Sequence, residues 1–553
     1  NGLVTLDVGT SPHDCLSLVY DGGDKLLLPV EHIDLLSRYG SSDKPTLLDK
    51  LGGVAWQSKK SRLKQRIKEI ANELISTAAK RKLQEAPIFN FDRVSYDNFC
   101  SRFPFVETED QLQAIKETLE DLESGSPMDR LICGDVGFGK TEVALRAAFS
   151  AVMSGSQVVV LVPTTLLCRQ HFNTFFERFK GFSFQVAEIS RLTPRQEAIN
   201  IKEGLEKGEI HIIIGTHAVL SKEIVIPNLG LVVIDEEQHF GVSHKEKLKT
   251  LQAKTHVLTL TATPIPRTLQ MSLSGVKNLS IIATPPVDRL SVRTFIMPFD
   301  PLAIREAIIR EKMRGGQTFY VCPRVSDIRK IMDQLKRFVP EVTARAAHGR
   351  MSSKELEITM SQFFGGEFDV LVSTSIIESG LDIPRVNTMI IYRSDMFGLA
   401  QLYQLRGRIG RSKIRGYAYI TYPPDKRLTE TALKRLEVIH RLDSLGAGFS
   451  LASHDLDIRG AGNLLGSEQS GHIKEVGIEL YQHLLEEAVS EAKIKQEDNQ
   501  GEQKDRWSPN INIGSAILIP GDYVTDLDTR LGLYRRIGRL ENREDAEILI
   551  EEL

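Results

Sequence analysis

Cysteine is scarce in this chain of 553 residues: Cys15, Cys100, Cys133, Cys168 and Cys322, with no C-x-x-C pair among them. That scatter excludes a disulfide framework and a cysteine zinc site, and it fits a reducing cytoplasm. An excess of one charge is also lacking. Seventy Lys and Arg face 73 Asp and Glu, for a formal net charge of -3. A protein that coats nucleic acid by bulk charge is excluded, so any nucleic-acid surface must be local. There is no apolar run long enough to cross a bilayer, and Asn1 to Thr10 hold no basic start followed by an apolar block. A membrane partner and a secretory signal are therefore not expected. No internal repeat is visible. What remains is ordinary globular composition, 41% hydrophobic and 26% charged, at a length that calls for several domains. Asn1 at the start and helical-looking sequence running to Leu553 suggest a piece of a longer protein.

The pattern changes along the chain. Residues 15–20 and 25–30 are apolar and flank Asp21-Gly22-Gly23-Asp24, which predicts a hairpin in a small β module. From Lys59 to Lys82, Leu63, Ile67, Ile70, Ala71, Leu74 and Ile75 recur at helical spacing among Lys60, Lys64, Arg66, Lys68, Lys80, Arg81 and Lys82. This predicts a long basic amphipathic helix, either a solvated connector or a relay between modules. Short apolar runs then alternate with helical stretches. Strands are expected at 130–133, 157–162, 210–215, 231–234 and 256–260, and, after the break at Thr284-Pro285-Pro286, at 317–322, 368–372, 388–392 and 416–421. Several are apolar on both faces, as in parallel sheets covered by helices on both sides, so the fold class is α/β. Beyond Pro423-Pro424 the sequence turns helical, and 495–506 is a polar linker.

Gly134-Asp135-Val136-Gly137-Phe138-Gly139-Lys140-Thr141 fits G-x-x-x-x-G-K-[ST] between an expected strand and an expected helix. That context marks a phosphate-binding loop: backbone N–H groups of the Gly134, Gly137 and Gly139 turn cradle phosphate oxygens, Lys140 reaches the outer phosphates, and the Thr141 hydroxyl suits Mg²⁺. Asp235-Glu236-Glu237-Gln238-His239 closes the run Leu231-Val232-Val233-Ile234. Acids at the end of a buried strand are poorly solvated unless they bind something; Asp235 suits Mg²⁺, and Glu236 suits the attacking water. Gln111, after Phe105, has the donor and acceptor that adenine's edge needs, a weak signal alone. Far downstream, Gln404-Leu405-Arg406-Gly407-Arg408-Ile409-Gly410-Arg411 carries arginines. Arg408 and Arg411 suit the spreading charge of a transferring phosphoryl group, reached across a cleft when two lobes close.

In order, the phosphate loop, Pro163-Thr164-Thr165, Gly215-Thr216-His217, Asp235-Glu236-Glu237-Gln238, Thr261-Ala262-Thr263-Pro264, Ser379-Gly380-Leu381-Asp382 and the glutamine-arginine run resemble superfamily 2 helicases and translocases. The resemblance implies two RecA-like P-loop lobes that bind ATP and Mg²⁺. It implies coupling or DNA contacts at Thr164, Thr216, His217, Thr261 and Thr263, second-lobe nucleotide and DNA contacts at Gly380 and Asp382, and an adenine contact at Gln111. Asp455 to Gly466 and Gln469-Ser470-Gly471-His472 resemble the translocation motif shared by RecG and the bacterial transcription-repair coupling factor (Mfd) family, with Arg459 and Gln469 at its coupling positions. Leu28 to Asp34, Leu51-Gly52-Gly53, Trp56 and the basic helix resemble the coupling factor's polymerase-interacting module and relay helix, and Ile519 to Tyr534 resembles the start of its last domain.

The expected division is 1–50, a partial RNA-polymerase-interacting β module; 51–90, the relay helix; 91–286, RecA-like lobe 1; 287–425, lobe 2; 426–494, a helical translocation motif; 495–509, a linker; and 510–553, the start of a truncated C-terminal domain. By the same resemblance the partners are double-stranded DNA and, if the module is complete, RNA polymerase. Nucleotide-excision repair proteins would bind only through domains absent from this sequence, and a monomer is expected. The leading expectation is an ATP-dependent duplex-DNA translocase that displaces stalled RNA polymerase. A RecG-like fork-remodelling helicase is the alternative enzyme, and a nucleotide-dependent binding module without turnover is the alternative of another class.

Overall fold

The structure is a computed structural model. It describes residues 3–8, 11–30, 36, 50–51, 58, 61–69, 72, 84–191, 193–221, 223–237, 240, 255–262, 277–286, 289–378, 383–410, 414–425, 427–441, 488, 519, 523–524 and 527–538. The chain forms two compact units, Asn1–Ile75 with Arg459–Leu553, and Ser76–Ile458.

In the first unit, β1 (Leu3–Val8), β2 (Ser11–Val19) and β3 (Lys25–Pro29) make an antiparallel sheet. The β2–β3 turn uses the two glycines anticipated there, Gly22 and Gly23, at φ 88° and 87°, a conformation that a Cβ disfavours. β1 has no counterpart in the sequence reading: a Gly9-Thr10 connection gives a weaker turn signal than Gly-Gly. Residues 61–69 are helical, and Leu63 and Ile67, two of the periodic apolar positions, are buried. The rest of the anticipated basic helix lies outside the described residues. A C-terminal helix, Leu527–Gly538, belongs to this unit. Its Tyr534 packs with Val30, Leu3, Leu16 and Ile519. The Tyr534 hydroxyl accepts from Ile519 N at 2.6 Å and donates to the buried Asp14 Oδ2 at 3.0 Å, and burial pushes the phenol up to about 12. Sequence separation of more than 500 residues hid this pairing.

The second unit opens with α1 (Arg93–Ser101) and α2 (Glu109–Glu123). Thr108 and Gln111 start α2 with a reciprocal capping box, and Glu109 and Asp110 complement its dipole. The first lobe follows: β4 (Asp129–Gly134), α3 (Lys140–Met153), β5 (Gln157–Leu161), α4 (Thr165–Phe179), β6 (Val186–Ile189), α5 (Arg195–Glu206), β7 (Ile212–Gly215), β8 (Leu229–Asp235), β9 (His256–Thr261) and β10 (Asn278–Ile282). The sheet is parallel, in the order β10-β4-β9-β8-β5-β7-β6. Apolar clusters lie on both faces. One is built on α3, Phe99, Phe149, Phe175 and Phe179, the other on Val159, Leu161, Ile213, Val232 and Ile234. Each fully buried Val, Ile or Phe contributes about 1.5–3 kcal/mol, and β5 and β7 bury every residue.

The second lobe contains β11 (Arg293–Pro298), α6 (Pro301–Met313), β12 (Gln317–Val321), α7 (Val325–Phe338), β13 (Ala344–Ala347), α8 (Ser353–Phe364), β14 (Val370–Ser373), β15 (Val386–Ile391), α9 (Leu399–Arg406) and β16 (Tyr417–Tyr422), with α10 (Glu430–Arg441) after it. Its parallel order is β11-β16-β15-β12-β14-β13. All nine anticipated strands of the two lobes are present. β6, β10, β11 and β13 are additional. β6, β10 and β11 have mixed burial, and β13 is four residues long, so their apolar signal is thin. Among the described residues no helix is long and apolar enough to cross a membrane, and all five cysteines are free thiols.

Tyr534→Phe removes the hydroxyl that joins Asp14 to Ile519. A loss of about 1 kcal/mol follows, so amide exchange in β2 and β3 should accelerate roughly five-fold. Unchanged exchange would mean that the hydroxyl ties nothing together.

Candidate active site

In a parallel sheet all carboxyl ends lie along one edge. β4, β9 and β8 are neighbours, with Cys133 opposite Thr261 and Leu260 opposite Asp235. The loop after β4, the Thr261 hydroxyl and the Asp235 carboxylate are therefore set side by side by backbone pairing.

The loop 135–139 turns from β4 into α3. Gly137 and Gly139 have φ of 81° and 79°. A Cβ on Gly139 would stand 2.5 Å from Gln111 Nε2, and one on Gly137 would stand 2.7 Å from Arg289 Nη1. Gln111 Nε2 donates to Phe138 O at 2.9 Å while its Oε1 accepts from Thr108 N at 3.0 Å. A primary amide has two N–H groups and two acceptor lone pairs, so one of each is left after these bonds. Lys140 Nζ donates to Gly134 O at 2.7 Å and Asp135 O at 3.0 Å. Burial lowers its pKa against the opposing pull of Glu236, Asp235 and Asp135. Thr141 follows, half-buried, in the first turn of α3.

Asp235 ends β8. Burial by itself would raise its pKa; the hydrogen bond from His171 and the charges of His171, Lys140 and Arg408 prevail and hold the carboxyl below its usual range. Glu236 is buried with φ 53°, and its N–H donates to Leu260 O at 3.0 Å. A non-glycine residue in that conformation carries about 1–3 kcal/mol of strain, a feature concentrated at sites under functional constraint. Thr261 Oγ1 and Thr216 Oγ1 are buried without a hydrogen-bond partner, a costly state that a ligand can relieve. Thr164 caps α4, accepting from Leu167 N at 3.3 Å, and His217 is half-buried beside Thr216.

The second lobe reaches this edge. Arg408, in the segment after α9, is buried, and its charge helps depress Asp235. Tyr403 of α9 donates its hydroxyl to Asp135 Oδ2 at 2.5 Å. Between the lobes, Arg289 donates to Val136 O, and its guanidinium lies 5.3 Å from the centre of the Phe138 ring. Gly134, Gly137, Gly139, Lys140, Thr141, Gln111, Asp235, Glu236, Thr261 and Arg408 thus gather around one loop and one strand edge. Arg411, Gly380, Asp382, Thr263, Arg459 and Gln469 lie outside the described residues. The sequence reading missed His171, Tyr403 and Arg289. Tyr403 precedes the arginine run by one helical turn, and His171 follows Thr164 by seven residues, one face of a helix; Arg289 had no local signal.

Two parallel α/β lobes, one with a phosphate loop and a strand-end acid and the other presenting an arginine to them, define a helicase-type protein. The family patterns agree: "DEAD/DEAH box helicase" matches residues 108–272, "Helicase conserved C-terminal domain" matches 301–413, and "CarD-like/TRCF RID domain" matches 1–40. A transcription-repair-coupling factor of Rickettsia conorii is 54% identical over all of this chain and 49% of its own length. That of Escherichia coli is 46% identical over all of this chain and 48% of its own. A solved structure of RecG bound to a three-way DNA junction has TM-score 0.65 at 31% identity, covering 80% of this chain and 58% of that one. The chain is similar to transcription-repair-coupling factors along its whole length, and it spans about half the length of the curated relatives it matches.

Gly139→Ala sets a Cβ against Gln111 in a backbone conformation that alanine disfavours. Binding of a fluorescent ATP analogue should weaken at least ten-fold. Gly155→Ala is the control: Gly155 also has positive φ, 78°, but nothing lies within 4 Å of a built Cβ. It should cost about 1 kcal/mol of stability and leave binding unchanged. Equal losses in the two variants would remove the loop from nucleotide binding.

Proposed function

We propose that this chain is the motor portion of an ATP-driven double-stranded DNA translocase that acts in transcription-coupled repair by displacing stalled RNA polymerase. The observation that carries the proposal is the joint placement of Lys140 and Asp235 from one lobe with Arg408 from the other, acting on one another at a single strand edge.

ATP phosphates would lie in the Gly134–Thr141 loop, where Lys140 exchanges its two carbonyl acceptors for phosphate oxygens. Gln111 would use its remaining donor and acceptor on the base. The Thr141 hydroxyl and the ionised Asp235 carboxylate are oxygen donors that suit Mg²⁺, which when bound neutralises developing phosphate charge. Glu236 orients or deprotonates the attacking water, and Arg408, with Arg411, stabilises the charge on the transferring phosphoryl group. An arginine supplied by the second lobe makes hydrolysis depend on lobe closure, and release of products lets the lobes part. Thr164, Thr216, His217, Thr261 and Thr263 on lobe 1 and Gly380 and Asp382 on lobe 2 link that cycle to nucleotide and DNA. Arg459 and Gln469 in the 426–494 segment couple it to stepping along the duplex. Contacts to DNA are mainly to phosphate, hence tolerant of sequence and sensitive to salt. The 1–50 module contacts RNA polymerase, in keeping with the pattern matched at residues 1–40. The likeness to RecG supports a second reading, remodelling of forked DNA. Displacement of stalled polymerase measured beside fork regression separates the two.

Duplex DNA should stimulate ATP hydrolysis, and Lys140→Ala and Glu236→Gln should each abolish it. Arg408→Ala should lower turnover about 10³-fold while nucleotide still binds. Full activity in these variants would remove the site from catalysis. Arg459→Ala should hydrolyse ATP yet displace a triplex-forming strand from blunt duplex poorly. A normal displacement rate would refute the coupling assignment.

A further inference from the structure

We infer that His171 is a positioning residue for the Asp235 carboxylate, holding it in the orientation that receives the divalent cation of a bound nucleotide. The inference rests on the phosphate-pocket reading above and adds to it a residue outside the motifs that carry that reading.

His171 is on α4, the helix that Thr164 caps, and it is 7% exposed. Its Nε2 stands 3.0 Å from Asp235 Oδ2. Among the described residues this is the only side-chain hydrogen bond that Asp235 makes. An ionised carboxylate only accepts, so Nε2 carries the proton. Nδ1 is buried without a partner.

The geometry gives this one bond its leverage. A carboxylate at a strand end can rotate about its last torsion, and the charges of Lys140 and Arg408 attract it without choosing a rotation. A directional N–H donor on Oδ2 chooses one, and Oδ1 is then left to face a metal. The donor itself is rigidly mounted. Cys168, one turn earlier on α4, donates its Sγ–H to Ile214 O at 3.4 Å. Phe175 and Phe179, one and two turns later, are fully buried in the lobe 1 core. Arg178 donates to Glu142 Oε1 at 2.8 Å, tying α4 to the helix that begins at Lys140. The imidazole is thereby fixed relative to both the phosphate loop and the acid. Partners that orient a metal ligand in this way typically account for 10–100-fold in metal affinity.

The test uses the full chain and the fluorescent analogue N-methylanthraniloyl-ATP, titrated with Mg²⁺ and, separately, in EDTA. His171→Phe keeps an aromatic ring but removes the donor. It should raise the Mg²⁺ concentration for half-maximal tight binding about ten-fold or more and leave binding in EDTA unchanged. His171→Gln, whose Nε2–H reaches a comparable position, should recover most of the Mg²⁺ response. A wild-type Mg²⁺ response in His171→Phe, or equal weakening with and without Mg²⁺, would overturn the inference, since packing alone would then explain the residue. Should the Phe variant fail to fold, His171→Asn replaces it: its shorter amide should lose the Mg²⁺ response that Gln keeps, and identical responses in the two would count against positioning. Lys140→Ala tests the underlying pocket independently. It should lose analogue binding in both conditions, and if it does not, the pocket reading fails whatever His171 does.

Discussion

The parallel pairing of β4, β9 and β8 is the constraint from which the rest of the site follows. Backbone hydrogen bonds set Cys133 against Thr261 and Leu260 against Asp235. A register slip of one residue would turn Asp235 to the other face of the sheet. The two apolar clusters that sandwich the sheet resist that slip, because every residue of β9 and most of β8 are buried. Hydrophobic burial thus fixes the positions of a few polar groups it does not itself contain. The strain at Glu236 and the unpartnered hydroxyls of Thr216 and Thr261 are tolerable because so much apolar area holds the edge in place.

Electrostatics at that edge is a balance of opposed terms. Burial penalises both Lys140 and Asp235, and each moderates the penalty on the other. His171 and Arg408 tip Asp235 toward its ionised form. The second lobe enters this balance directly through Arg408, through the Tyr403 hydroxyl on Asp135, and beside it through Arg289 on Val136. The loop between β4 and α3 is thus held in part by residues from outside its own lobe. Three of the thiols are deeply buried. Burial pushes Cys133, Cys168 and Cys322 up to about 12, so they are packing residues rather than nucleophiles.

Much of the fold was legible because its signals are local. Nine strands announced themselves as short apolar runs, and the phosphate loop by glycines where only positive φ serves. The acid pair was marked by carboxylates where an apolar run stops. What was hard to read had mixed burial or few residues, as in β6, β10, β11 and β13. It also included partners whose meaning depends on contact. Nothing near Tyr534 points to Asp14, and nothing near Arg289 points to Val136.

The sequence by itself determined the local chemistry: a loop that can turn around phosphates, an acid at a strand end, and a run of arginines far downstream of that loop. Local chain geometry and side-chain type are enough for those. Only the tertiary structure decided which groups share a site. Strand order cannot be read from strand content, and the crossover connections put β9 between β4 and β8 although it follows both in the chain. That rearrangement of neighbours, driven by burial of both sheet faces, set the phosphate loop beside the acid, while the packing of α4 and of the second lobe brought His171, Tyr403 and Arg289 to them.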